Sequence, residues 1–180
     1  MCPCRIAAVK TPNSAQLWNN IGMCFYGKSP QPRYIAAVAC LKRALYLDPF
    51  EWIISYNLGL VHLNKSQYAS AFHFFSASIN LRPDNALSYM YLAITLGRLD
   101  DFDNACAAYD KSIEVDGKDY TARLNYAITL FLNDEFERSE AQFKTFEELL
   151  DAKLDEGEDV DEDVTLQRNL LGEALKKELA

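Results

Sequence analysis

Residues 56–75 read YNLGLVHLNKSQYASAFHFF. Two small residues, Gly59 and Ala71, stand among large apolar ones, with Tyr68 and Phe75 on either side of Ala71. The pattern is one copy of several. Ala37, Ala71, Ala105 and Ser139 are each 34 apart. Tyr34, Tyr68, Phe102 and Phe136 keep the same interval, as do Leu41, Phe75, Tyr109 and Phe143. Gly22, Gly59, Ala93 and Ala127 share a further phase, allowing for three extra residues in the first copy. Apolar residues recur within each copy at helical spacing, so each reads as two helices of about a dozen residues joined by a turn.

A 34-residue period with small and aromatic residues at fixed phases resembles the tetratricopeptide repeat, a helix–turn–helix unit whose copies stack. The resemblance implies an all-α right-handed superhelix, an α-solenoid. Four full repeats are expected, at 13–49, 50–83, 84–117 and 118–152. In each, helix A carries the small residue Gly22, Gly59, Ala93 or Ala127, and helix B carries Ala37, Ala71, Ala105 or Ser139. Small residues at these phases let the two helices approach closely. Trp18, Leu41, Phe75, Tyr109 and Phe143 then fill the space between neighbouring units. Pro49 and Pro83 cannot continue a helix and set the turns between repeats.

The ends depart from the period. Pro12 lies six residues before Trp18, as Pro49 lies six before Ser55. Residues 1–12 therefore read as the end of a preceding partial repeat, Arg5 to Val9 being the last turns of a helix B. On that reading the chain is the C-terminal piece of a longer protein or a shortened isoform. Lys28 to Arg33 form an insertion between the first two helices, with two prolines in it. Residues 153–163 read as an acidic linker, with seven acids in the nine positions from Asp155 to Asp163. An EF-hand loop needs glycine at its sixth position and glutamate at its twelfth. Counted from Asp155 those are Val160 and Leu166, so a calcium loop is not expected. Residues 164–180 read as a C-terminal capping helix with Leu170, Leu171, Ala174, Leu175 and Leu179 as its apolar stripe.

Composition narrows the function classes. The 180 residues carry a formal net charge of −8, which argues against a nucleic-acid surface. The five cysteines, Cys2, Cys4, Cys24, Cys40 and Cys106, are odd in number, and three fall within expected helices. They read as reduced thiols rather than disulfides or a zinc site. No apolar run approaches the ~18 residues that span a bilayer, and no signal-peptide pattern opens the chain. A soluble intracellular protein is the expectation. His62 and His73 are the only histidines, and no metalloprotease, nucleophile-elbow or phosphate-loop motif occurs. No catalytic residue, metal, cofactor or small-molecule ligand is expected.

A binding face is the better candidate. By phase, the A helices line the concave side with Asn19 and Met23, then Ile53, Tyr56, Leu60 and Leu63. Met90 and Ile94 follow, then Leu124, Ile128 and Phe131. This face is apolar rather than charged and suits a helical partner segment with apolar anchors. Tetratricopeptide clamps for a chaperone's terminal carboxylate use Lys, Arg and Asn there. Asn20, Asn57 and Asn125 recur, but Arg98 is the only basic residue on the face.

Particular stretches carry a narrower resemblance. They are Leu17-Trp-Asn-Asn-Ile-Gly-Met-Cys-Phe25, Cys40-Leu-Lys-Arg-Ala44, Tyr56-Asn-Leu-Gly-Leu-Val-His-Leu63 and Gln67-Tyr-Ala-Ser-Ala-Phe-His-Phe74. Together they resemble the Bardet–Biedl syndrome protein 4 family, tetratricopeptide subunits of the BBSome. The match is specific through about residues 12–83 and weaker beyond, where Asn125-Tyr-Ala127 is still similar. The resemblance implies a non-catalytic scaffold that holds other BBSome subunits in ciliary membrane-protein trafficking and cilium assembly. It also implies an association with the basal body and centriolar satellites. Two other readings stay open at this point: a co-chaperone or other adaptor that binds a partner peptide in its groove, and a repeat domain that serves a glycosyltransferase.

Overall fold

The structure is a computed structural model that describes residues 12–27, 33–157 and 159–179. Among these residues it contains nine α-helices and no strand. They pair as α1 (Ala15–Gly27) with α2 (Tyr34–Leu47), α3 (Trp52–Asn64) with α4 (Tyr68–Leu81), α5 (Ala86–Gly97) with α6 (Phe102–Val115) and α7 (Tyr120–Phe131) with α8 (Phe136–Asp155). A final helix, α9 (Glu162–Glu178), follows. The expected half-repeat at Arg5 to Val9, Cys2 and Cys4, and the insertion at 28–32 lie outside the described residues.

Each hairpin is held by a close approach that a larger residue would prevent. A Cβ built on Gly22 would lie 2.7 Å from Leu41 Cγ, and one on Gly59 would lie 2.6 Å from Phe75 Cε1. The facing positions Ala37, Ala71, Ala105 and Ser139 are fully buried, as are Ala93 and Ala127. The small residues of one helix thus seat the large ones of the other.

The turns inside the hairpins repeat as well. Ser66, Asp100 and Asp134 adopt φ of 56°, 60° and 62°, at the junctions between the A and B helices of the second, third and fourth hairpins. The next residue's amide reaches back five positions: Gln67 N to His62 O, Asp101 N to Leu96 O and Glu135 N to Leu130 O. That is a left-handed helix stop, in which the short polar side chain of Asp or Ser is tolerated better than a bulky one. Between hairpins, Asp48 and Asp116 turn the chain by accepting the amides of Phe50 and Lys118 on their carboxylates. Asn85 and Asp119 cap α5 and α7.

Every contact between described helices falls within a hairpin or between neighbours. The A helices α1, α3, α5 and α7 touch one another in succession, whereas the B helices α2, α4, α6 and α8 do not. The stack therefore curves with the A helices on its inner side. Aromatic rings carry the contact from one hairpin to the next. Phe75 stacks on Tyr91 at 5.8 Å, and Tyr109 stacks on Tyr126 at 4.9 Å.

The C-terminal end differs from its expected outline. Helix α8 runs on through Asp155, and α9 begins at Glu162, so the non-helical connection is shorter than 153–163. Leu150 is buried and keeps the chain helical past the usual length of a B helix. Asp161 caps α9, and Glu162 and Asp163 in its first turn suit the positive end of the helix dipole. Only two of the expected stripe residues, Leu171 and Leu175, reach the cluster of Leu124, Phe143 and Phe146; Leu170 and Leu179 face solvent. Arg168 braces the helix by donating from Nε and Nη2 to Glu147 Oε1 at 3.1 and 3.0 Å.

Gly59→Ala is expected to destabilise the fold, because overpacking of about 1–3 kcal/mol outweighs the gain in helix propensity of about 1 kcal/mol. In a Phe75→Ala background the ring it meets is gone, so Gly59→Ala becomes neutral or stabilising. Urea unfolding followed by circular dichroism reads this change of sign. Purely additive effects would contradict the close contact.

Candidate partner-binding site

The inner side of the curve is built from α1, α3, α5 and α7, and the structure sorts its expected residues into two groups. Asn19, Met90 and Leu124 are buried. Asn19 accepts from Asn57 Nδ2 at 2.8 Å, which ties α1 to α3 through a buried amide pair. Met90 lies under Thr121 and Asn125, its sulfur 3.7 Å from Thr121 Oγ1. Leu124 belongs to the C-terminal cluster. These three pack the stack and offer nothing to a partner. Their helix phase points inward, but the neighbouring A helix already covers that phase.

The other eight, Met23, Ile53, Tyr56, Leu60, Leu63, Ile94, Ile128 and Phe131, are half-buried. Met23 and Ile53 rest on the first core cluster, Ile94 on the second, and Ile128 and Phe131 on the last. Tyr56 stands edge-on to Phe75 at 6.0 Å and to Tyr91 at 5.8 Å. Burial and the nearby tyrosines push its phenol pKa well up, so the ring stays neutral. The line is thus a partly covered apolar seam rather than an open hydrophobic patch.

The asparagines of a carboxylate clamp are engaged internally. Asn57 donates to Asn19, Asn125 donates to Thr121 O at 2.8 Å, and Asn20 accepts from Gln16. What the sequence did not reveal is a cleft of about 330 Å³ between α5 and α7, with Ile94, Arg98, Asn125, Ile128 and Asn133 among its walls. Tyr109 and Thr129 meet by their hydroxyls at its base, 3.1 Å apart. Its signal was the run of small and polar residues Gly97, Thr129 and Asn133 at the ends of A helices. A second and larger groove, about 1010 Å³, lies between α8 and α9 over Phe143 and Leu175. Its existence depends on how α9 docks, which periodicity does not specify.

Among the described residues no group of three or more His, Cys, Asp or Glu is placed to hold a metal ion, and no helix is long and apolar enough to cross a membrane. Cys24, Cys40 and Cys106 are in no disulfide. His62 is buried, stacked on Phe74 at 5.3 Å, with Nδ1 2.8 Å from Gln67 Oε1 and no hydrogen-bond partner for Nε2.

A curved stack of helical hairpins with an apolar inner seam is a protein-interaction array. The tetratricopeptide-repeat family model matches residues 33–86 and 92–152, and the chain belongs to that family. Within it, the chain is similar to BBSome complex member BBS4. It is 45% identical to the Xenopus tropicalis protein over 172 residues, 96% of this chain and 33% of that one. It is 44% identical to the Mus musculus protein over 173 residues, again 96% of this chain and 33% of the relative. The chain matches the C-terminal portion of these relatives and spans about a third of their length. Among solved structures, a crystal structure of MamA superposes with a TM-score of 0.75 at 18% identity, covering 84% of this chain and 87% of that one. That likeness shows the fold.

Desolvation lowers the pKa of His62, and Lys65 and Lys42 add to the effect, while the bond to Gln67 opposes it. The unfolded chain therefore takes up the proton at a higher pH than the folded one. Stability is full above the unfolded value, about 6.5, and declines as pH falls below it. The melting temperature is expected to drop between pH 7.5 and 5, and His62→Phe should reduce that drop. An equal drop in both proteins would assign it to other groups.

Proposed function

We propose that the chain is a non-catalytic scaffold segment of a BBSome subunit, working in ciliary membrane-protein trafficking and cilium assembly. The observation that carries this reading is the 45% identity to a BBS4 protein across 96% of the chain. The geometry supports it, because a solenoid presents a long continuous surface to partners while each repeat needs only its neighbours for stability. The partners are other BBSome subunits and ciliary or centriolar-satellite proteins, and the place of action is the cilium, basal body and centriolar satellites.

The half-buried residues of the inner seam, Tyr56, Leu60, Leu63, Ile94, Ile128 and Phe131 above all, are the proposed contacts. An amphipathic partner helix would set its anchors between successive A helices and cover what the neighbouring repeat leaves bare. No nucleic acid, membrane insertion or small-molecule ligand enters this reading.

Affinity capture of the tagged chain from ciliated cells tests it. Several BBSome subunits are expected together in the captured material. Leu60→Asp with Ile128→Asp should reduce their recovery at least about tenfold while helical circular dichroism is kept, since a charge in a desolvated contact costs several kcal/mol. Chaperones recovered in place of BBSome subunits would overturn the reading.

A further inference from the structure

One edge of the stack carries side chains that the repeat does not ask for. Tyr46 and Phe50, at the connection between α2 and α3, are 78% and 80% exposed. The equivalent positions 34 and 68 residues later are Asn80 and Glu114 for the first, Asp84 and Lys118 for the second. The same connection therefore folds with polar residues, and packing does not account for the aromatic ones. Arginines flank them. The Arg43 guanidinium lies over the Tyr46 ring at 5.5 Å, and that of Arg82 lies over Trp52 at 4.7 Å. Arg82 also meets Asp84 at 3.2 Å, with both side chains largely in solvent. Seven residues of chain thus carry an aromatic ridge of Tyr46, Phe50 and the half-buried Trp52, with an arginine over its first and last rings.

The C-terminal part of the stack offers the complement. Around the connection between α8 and α9, Asp155, Glu156, Asp159, Glu162 and Asp163 are exposed. Leu166 and Leu170, one turn apart on α9, are 57% and 60% exposed, and Leu154 on α8 is also bare. Residues 1–99 hold nine Lys and Arg against three Asp and Glu, whereas residues 100–180 hold nine against 23. The sequence is thus charge-polarised between its two parts.

We propose that these two surfaces bind each other between copies, the aromatic ridge of one chain receiving the acidic, leucine-flanked segment 154–170 of a second. Carboxylates would meet the outer N–H groups of Arg43 and Arg82, which a cation resting on a ring leaves available. The leucines would cover Tyr46 and Phe50. The two surfaces do not meet within one chain, because helix contacts run only between neighbours and the third hairpin stands between the ridge, on the first two hairpins, and the acidic segment that follows the fourth. The contact is head-to-tail, so it adds copies in series rather than closing as a symmetric dimer. This goes beyond the scaffold reading, which needs no second copy.

Sedimentation velocity of the whole chain tests it. Association that grows with concentration is expected at about 50 mM salt and should weaken about tenfold or more at about 500 mM, where screening is short-ranged. A ridge variant, R43S/F50S/R82S, and a tail variant, D155N/E156Q/D159N/L166S, should each be monomeric with helical circular dichroism intact. Mixed one to one, they should form a heterodimer and nothing longer, because each keeps one good surface. A synthetic peptide of residues 154–170 should dissolve the association of the unsubstituted chain, a result that needs no variant. A chain that stays monomeric at low salt, or an association that salt and peptide leave unchanged, overturns the proposal.

Discussion

The rest of the structure depends on a distance that admits at most a methyl group. At Gly22 and Gly59 the A helix passes so close to its B helix that even a methyl group would collide with Leu41 or Phe75. Two helices brought this near leave the large residue of the B helix only one way to extend, along the groove toward the next hairpin. Phe75 does so. It touches Tyr56 of its own hairpin and stacks on Tyr91 of the following one. Tyr109 repeats the move onto Tyr126. One small residue thus sets the hairpin, and the aromatic residue it admits sets the stack.

Polar groups are placed so that this packing leaves few of them stranded. Buried Ser78, Ser88, Ser112 and Ser139 each have a hydrogen-bond partner. Ser112 donates to Ala86 O and Ser139 to Ala127 O, at 2.9 and 2.8 Å, while Ser78 and Ser88 meet each other at 3.1 Å. Such bonds matter chiefly because an unmet buried hydroxyl would cost about 1–3 kcal/mol. The left-handed turns at Ser66, Asp100 and Asp134 take short polar residues where glycine would also serve.

How much of this the sequence disclosed follows from what periodicity measures. The spacing of Gly59, Ala71 and Phe75 and their copies named the repeat, the helix pairing and most of the core, because those residues answer to contacts inside one unit and with the next. It did not separate Asn19, Met90 and Leu124 from the rest of the inner face. A phase tells which side of a helix a residue occupies, and the curvature of the stack decides whether the neighbouring helix covers it. The end of the chain was the least legible. Helix α8 outruns the period, and α9 belongs to no repeat, so only a folded Leu150 or Leu171 shows where each is held. The ridge at Tyr46 and Phe50 was hidden for the opposite reason: its residues lie at positions the repeat leaves unconstrained.

The seam proposed for partners has a further consequence. Tyr56, Ile94 and Ile128 are half covered by an adjacent helix and half open, so the same side chains serve the contact between repeats and any contact with a partner. In a solenoid, stability is close to a sum of terms from each unit and from each junction between units. A partner helix lying across successive A helices would add apolar burial at the junctions themselves, where the described structure leaves the seam incomplete. Binding would then strengthen the terms that join the repeats and hold their relative tilt, and hence the curvature of the whole array. A partner that needed a different curvature would have to give up part of that gain to bend the stack. Selection among partners is therefore expected to act through the fit to this curvature as much as through individual side chains, since no single residue on the seam is exposed enough to act alone.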